Sequence, residues 1–480
     1  MLLAPSVFAQ NLVYTPIAST SVGRTPQAMA TGDFNRDGRL DIATVNSTSD
    51  DVSILLSNGN GTFRSAVSFG VGKIPMAIAA SDLNGDDTLD LVVATSGSDQ
   101  IAVFFGNGTG VFALGGSYPS GKGTTFIVLQ DVDGNGSADI VTANSGRFGY
   151  YPPFSVSVLL NQGAGVFGKP TFYETDGRNG MFPTGVYVHD LTGDGHVDVA
   201  VTWSQASWRT PNGVISLLAN QGDGTFALKD EIKAGLSLSA ITGADLNGDG
   251  RGDLVTTSVF SDSVIVLFQD KTGQFVNRGS MKVGFSPVAV VIRDLDGDDE
   301  LDLVVTNRDS NSISVLIGDG VATFHKAGNF GVGAVPSAVV AEDFDLDGLP
   351  DLVSADSDSD AISVLLSGGG AIPLASMSTD SVTFEAEDAQ AKSRKKTVRL
   401  SNIGLGPLHV SNIELVGKNP EAFALTDNQC AEAELRAGTS CTMQIVFTPV
   451  SNGSHTALIR VLDNSSGSPR IVVLKGIFKG

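Results

Sequence analysis

The sequence predicts an all-β protein, and three observations carry that reading. The 480 residues include 57 Gly and 18 Pro, the turn formers that separate short strands. The acids are lopsided, with 42 Asp and only 10 Glu; Asp suits turns and hard-cation sites, Glu suits helices. One nine-residue pattern also recurs seven times between apolar runs that lack helical periodicity.

The first copy is Asp33-Phe34-Asn35-Arg36-Asp37-Gly38-Arg39-Leu40-Asp41. The others begin at Asp82, Asp131, Asp190, Asp245, Asp294 and Asp343, at spacings of 49, 49, 59, 55, 49 and 49. An alternating run such as Met76–Ala80 precedes each copy, and a continuous run such as Leu91–Ala94 follows it. A third strand comes next, as in Ser314–Ile317. In copies one to six a Gly-rich turn then opens a fourth strand at Phe, as in Asn58–Phe63. Four antiparallel strands per unit predict propeller blades.

A solenoid is the alternative, and the seventh unit argues against it. Ser363–Leu366 runs into Gly368-Gly369-Gly370 with no fourth strand of the repeat type. In the regular units the Phe stands at a fixed interval before the next copy, as Phe63 does before Asp82. The same interval counted back from Asp33 lands on Tyr14. The segment Tyr14–Val22 therefore completes the last blade. The expected architecture is a seven-bladed β-propeller over residues 10–372, closed by the N-terminal strand so that no sheet edge stays open.

Each loop places oxygen side chains at positions 1, 3, 5 and 9 around a turn at position 6, a set that suits a hard cation, with the position-7 carbonyl as a further ligand. The predicted ligands are Asp33, Asn35, Asp37, Arg39, Asp41; Asp82, Asn84, Asp86, Thr88, Asp90; Asp131, Asp133, Asn135, Ser137, Asp139; Asp190, Thr192, Asp194, His196, Asp198; Asp245, Asn247, Asp249, Arg251, Asp253; Asp294, Asp296, Asp298, Glu300, Asp302; and Asp343, Asp345, Asp347, Leu349, Asp351. Without a cation such dense carboxylates would repel one another. Up to seven Ca2+ are expected, favoured over Mg2+ because a flexible oxygen-rich loop fits the looser coordination. An EF-hand shares the first six positions but needs Glu at position 12, where Thr44 and Val93 stand in the first two copies, and helices at its flanks. A metal-free Asp–Gly turn could explain one copy better than seven in register. The fourth copy, with Thr192 at position 3, should bind most weakly.

These loops, with Phe330-Gly331 and Gly333-Ala334-Val335-Pro336 before the seventh, resemble the FG-GAP repeats of integrin α-subunit propellers and of bacterial FG-GAP or VCBS chains. The resemblance implies Ca2+ bound through positions 1, 3, 5 and 9. That family includes adhesion, lectin and a few enzymatic propellers, so it implies fold and metal more than partner.

Antiparallel blades put the nine-residue loops on one face and the second-to-third-strand loops and blade connections on the other. Between position 9 and the fourth-strand Phe, blades three and four (Asp139 to Phe167, Asp198 to Phe226) are longer than regular blades such as Asp41 to Phe63. The connection from Phe167 to Asp190 is longer than its counterparts too. The insertions therefore project from the metal-free face. They carry Tyr150, Tyr151, Phe154, Arg178, Asn179, Phe182, Trp203, Trp208 and Arg209, predicted ligand-binding residues, because aromatics beside directional polar groups suit a sugar or peptide surface. Mutual burial of these aromatics is the competing explanation. Arg251-Gly252-Asp253 spells an adhesive tripeptide, but Asp253 is a position-9 residue and is expected to point inward.

From about Pro373 the repeat stops. The propeller segment holds 42 acids and 19 bases, the remainder 10 acids and 11 bases. Alternating runs such as Gln444–Phe447 and Ile471–Leu474 predict a β-sandwich over 373–480. Leu400–Gly404 and Cys441–Pro449 make it similar to Hydin-type, choice-of-anchor immunoglobulin-like domains. Cys430 and Cys441, close together in the sequence, are expected to pair in an oxidising compartment; two separate buried thiols are the alternative.

The net charge of −22 disfavours nucleic acid and anionic membranes as partners. Val7-Phe8-Ala9 looks like a signal cleavage site, so residues 1–9 are expected to be a signal remnant and the protein secreted or cell-surface. No nucleophile elbow, zinc-protease or phosphate-loop motif occurs. The expectation is thus a non-enzymatic, calcium-stabilised module for adhesion or carbohydrate binding, with a glycan or protein ligand. A polysaccharide-acting enzyme is the alternative.

Overall fold

The computed structural model describes residues 12–17, 19–146, 154–174, 181–205, 213–321, 323–369, 373, 375–386, 393, 395–402, 407–436, 438–465 and 468–478. No α-helix occurs among them, and no helix is long and apolar enough to cross a membrane. The chain divides into two compact units, the first ending at Leu365 and the second running from Leu366, with Asn58–Thr62 and Asp343–Gly348 grouped with the second.

Seven antiparallel sheets make up the repeat region among the described residues. The blade containing Pro75–Ser81, Asp90–Thr95, Gln100–Gly106 and Phe112–Pro119 shows the logic. Its second strand is buried at all six positions, which is why that run is apolar throughout rather than alternating. Its fourth strand is exposed at every other residue or more, because it forms the outer edge. The first strands lie side by side around the ring, and Pro336–Glu342 of the last blade packs beside Pro26–Gly32 of the first.

Closure follows the expected route. Thr15–Pro16 and Thr20–Ser21 pair with Ala361–Leu366 as the outer strand of the last blade. Tyr14 is 4% exposed, stacks edge-on against Phe330 at 5.1 Å, and donates its hydroxyl to the Pro350 carbonyl. The fold is a β-propeller closed by its N-terminal strand.

Every first strand carries a register shift near its start, between Pro26 and Ala28, Pro75 and Ala77, Thr124 and Phe126, Pro183 and Gly185, Leu238 and Ile241, Pro287 and Ala289, and Pro336 and Ala338. Such bulges re-aim one side chain per strand.

The second unit is a β-sandwich. One sheet orders Ala375–Met377, Lys396–Asn402, Ser440–Phe447 and Phe423–Asn428; the other holds Ser381–Ala386, Arg470–Phe478, Gly453–Asp463, Leu408–Val416 and Glu434–Leu435. Phe384, Phe423 and Phe447 meet in its core. Cys430 and Cys441 form a disulfide with Cα atoms 5.2 Å apart, tying the segment after Phe423–Asn428 to Ser440–Phe447.

Candidate functional sites on the two faces of the propeller

The nine-residue loops are built from the chain's own backbone donors. Position 1 is an Asx-turn acceptor: Asp33 accepts from the N–H groups of Asp37 and Gly38, and Asp190 from those of Gly193, Asp194 and Gly195. Position 3 accepts from position 5, as in Asn35 from Asp37 and Asp345 from Asp347. Position 5 accepts from position 7, as in Asp298 from Glu300. The loop is thereby wound so that its oxygens face one another.

Position 9 has a second task that the spacing alone does not disclose. Asp41, Asp90, Asp139, Asp198, Asp253 and Asp302 are at most 1% exposed. In each, one carboxylate oxygen accepts the N–H of position 2 and the other accepts an N–H at the end of the third strand. Phe34 and Ser57 serve Asp41, and Leu295 and Gly318 serve Asp302. Burial pushes the carboxyls of Asp41, Asp139 and Asp253 up to about 6 and that of Asp302 up to about 7, and raises Asp90 and Asp198, against the opposing pull of those N–H donors. Within the Arg251-Gly252-Asp253 tripeptide, Asp253 is fully buried.

Carboxylate oxygens converge in three loops. Ligand atoms of Asp131, Asp133 and Asp139, of Asp294, Asp296 and Asp302, and of Asp343, Asp345 and Asp347 all lie within 4.8 Å of one another in each group. Oδ1 of Asp296 is buried without a hydrogen-bond partner, and burial raises its carboxyl pKa. An oxygen cluster with a buried orphan atom fits a hard divalent cation. Loops one and five differ: Arg39 sits 3.8 Å from Asp37, and Arg251 forms an ion pair with Asp249.

Sequence reasoning misses position 2. Phe34, Leu83, Val132, Leu191, Leu246, Leu295 and Phe344 are no more than 4% exposed and anchor each loop to the core. Several of their carbonyls also receive the next blade. Asn161 Nδ2 donates to Leu83, Asn220 Nδ2 to Val132 and Gln269 Nε2 to Leu191, at 3.0, 2.7 and 2.6 Å; Gly110 N donates to Phe34. The invariably apolar residue inside a polar loop is the signal that could have found it.

The opposite face holds the mouth of the central channel. The seven bulge residues Gln27, Met76, Thr125, Thr184, Ser239, Val288 and Ser337 line a cavity of 490 Å³ there. An adjoining cavity of 590 Å³ shares Met76, Thr125, Thr184, Ser239 and Arg308 and adds Ile74, Ser96, Ser145 and Phe182. The bulge ring follows the repeat spacing, yet sequence reasoning does not find it, because a bulge is a property of strand pairing rather than of residue type.

The predicted aromatic surface fares differently. Tyr150, Tyr151, Arg178, Asn179, Trp208 and Arg209 lie outside the described residues. Phe154 and Phe182 are half-buried, with ring centroids 6.3 Å apart. Trp203 is a correction: at 1% exposure it is a core residue packed among the valines of blades three and four, not a ligand-binding side chain. It stands in the second strand, Asp198–Gln205, which is buried on both faces.

This fold and these loops define a repeat propeller with a C-terminal sandwich. FG-GAP-like repeats match residues 33–93, 82–142, 131–201, 245–305 and 294–354, more than half of the sequence. The chain belongs to the FG-GAP-like repeat family. Residues 374–471 match the ASH domain, described as abnormal spindle-like microcephaly-associated, ASPM-SPD-2-Hydin. No curated protein sequence matches the chain. Among solved structures, the periplasmic gluconolactonase of Pseudomonas aeruginosa is similar with a TM-score of 0.51 at 13% identity, over 86% of this chain and 99% of that one. BBS1N, crystallised in complex with ARL6DN, is similar with a TM-score of 0.50 at 12% identity, over 74% and 97%. At such identities the likeness is one of fold.

One expectation is overturned by these comparisons. The absence of a familiar catalytic motif points away from an enzyme, but a similar propeller is a lactonase. Missing motifs therefore do not exclude catalysis on this fold.

Proposed function

We propose that this chain is a secreted or cell-surface propeller, stabilised by Ca2+ in its nine-residue loops, that binds a glycan or protein ligand on the opposite face. The observation that carries the metal reading is the convergence of Asp294, Asp296 and Asp302 within 4.8 Å, with one buried oxygen of Asp296 unpartnered. A divalent cation there would favour the ionised form of Asp302 that burial disfavours. The residues that would hold it are the side chains at positions 1, 3, 5 and 9 with the carbonyl of position 7.

The disulfide is consistent with an oxidising, extracytoplasmic compartment. The ligand reading is supported by the cavity at the channel mouth, whose lining mixes hydroxyls with apolar side chains, the character expected of a small-ligand site. That same cavity also favours a second reading, an enzyme acting on a polysaccharide.

Calorimetric titration of Ca2+ into the metal-stripped chain, followed by a glycan array with and without EDTA, tests the first reading. Calcium uptake together with calcium-dependent glycan binding is expected. No uptake, with a melting temperature indifferent to EDTA, would sink the metal reading. Turnover on a polysaccharide panel would move the assignment to the enzyme.

A further inference from the structure

We infer that the channel mouth on the face away from the nine-residue loops binds a sugar acid, with Arg308 holding the carboxylate and Asp358 accepting from hydroxyls. The inference deepens the ligand-binding reading above and rests on it for the choice of face.

The starting point is a break in the repeat. The residue six positions after each position-9 Asp is Ser47, Ser96, Ser145, Ser204 and Ser357 in five blades and Val259 in a sixth; in blade six it is Arg308. The serines do a structural job. Ser47 donates to the Thr25 carbonyl, Ser145 to Pro183 and Ser357 to Pro26, at 3.1, 2.5 and 2.6 Å. A long guanidinium cannot replace so short a hydroxyl in that role. Arg308 is exposed, and it lines both the 490 Å³ and the 590 Å³ cavities. It is the cation of both linings among the described residues, in a chain of net charge −22.

The other lining groups narrow the ligand. Guanidinium geometry matches a carboxylate with two parallel hydrogen bonds. Asp358 is the acid of the same lining among the described residues, and an ionised carboxylate can only accept, which suits ligand hydroxyls. Ser96, Thr125 and Ser239 offer further hydroxyl oxygens, while Met76 and Phe182 give an apolar wall for the C–H face of a sugar ring. A ligand with one carboxylate, several hydroxyls and an apolar ring face is a sugar acid. Three successive blade connections add exposed cations at equivalent places on this face, Arg24, Lys73 and Lys122. Lys73 is partnered by Asp50; the others would raise the local concentration of an anion.

The test is calorimetry on the full calcium-loaded chain with glucuronate, glucose, acetate and an oligogalacturonate. Glucuronate is expected to bind at least about tenfold more tightly than glucose or acetate. Arg308→Ser restores the residue of the sister blades, so its melting temperature should not change, while glucuronate affinity falls about tenfold or more. Asp358→Asn should weaken glucuronate and leave acetate as it was. Oligogalacturonate binding that Arg308→Ser removes, without binding of the monomer, assigns the site to a polymer end and supports the inference. Glucuronate binding no tighter than glucose, or unchanged in folded Arg308→Ser, overturns it. Array binding that survives Arg308→Ser fails this site alone; glucuronate binding that persists in a chain showing no calcium uptake fails the calcium reading alone.

Discussion

Asp360 accepts a hydrogen bond from the backbone N–H of Thr25 at 2.8 Å, across 335 positions of sequence. The same bond joins Asp50 to Ile74, Asp99 to Gly123, Asp262 to Ser286 and Asn311 to Val335, at 2.8, 3.1, 3.1 and 2.9 Å. Both members of every pair have φ between 44° and 61°, a region costly for β-branched residues such as Thr25, Ile74 and Val335. At these five connections one blade therefore holds the segment entering the next in a conformation it would not choose alone. At Asp360 the device also seals the ring.

Replacing Asp360 removes the acceptor and leaves a strained turn with an unmet N–H. Asp360→Ala should cost about 1–3 kcal/mol, read as a lower urea midpoint with an unchanged slope. Asp360→Asn should cost far less, because Asn311 already performs the task in blade six. Equal losses in the two variants would show that the bond does not hold the seal.

Trp203→Ala should destabilise the propeller by about 3–5 kcal/mol through the cavity left in the core, seen as a lower melting temperature whatever ligand is present. A wild-type melting temperature would contradict its burial at 1% exposure.

Trp203 also marks what can be read from the sequence and what cannot. The nine-residue loops are legible because their spacing repeats, and the missing strand because counting back from Asp33 lands on Tyr14. The insertion that follows Trp203 draws it toward a surface reading. Yet it lies five positions after Asp198, where the other blades place Asn46, Thr95, Asn144, Ser258, Asn307 and Asp356, all buried. Register within the repeat is the better guide than aromatic content. The channel mouth is not legible, since Thr125 and Ser239 are ordinary strand residues until a bulge turns them into the channel.

The position-9 carboxyls predict a pH dependence that calcium reverses. Their folded pKa values, about 6 for Asp41, Asp139 and Asp253 and about 7 for Asp302, lie above the usual value of about 3.9 in an unfolded chain. Between these limits the folded metal-free chain binds more protons than the unfolded one, so these groups contribute less stability as pH rises. In EDTA the melting temperature should fall from pH 5 to pH 8. Calcium binds the ionised form, so the gap between calcium and EDTA curves should widen over the same range. A gap independent of pH would uncouple position 9 from the metal.

The loops should also fill in order. In loop five a cation must displace Arg251 from Asp249, and in loop four Thr192 offers no charge. Loop six brings four carboxylates, with Glu300 rather than Arg at position 7 and one buried Asp296 oxygen waiting for a partner. Calcium titration should therefore resolve a tight class that includes loop six and a weak class that includes loops four and five. Asp296→Asn should remove one equivalent from the tight class, since it removes the charge at the orphan oxygen. Arg251→Ala should tighten loop five by about two- to fivefold, the scale of an exposed ion pair, and the shift should shrink in high salt because screening weakens that pair first. A single class of equal sites that neither substitution alters would mean that the loops bind through their shared backbone, not through the side chains that distinguish them.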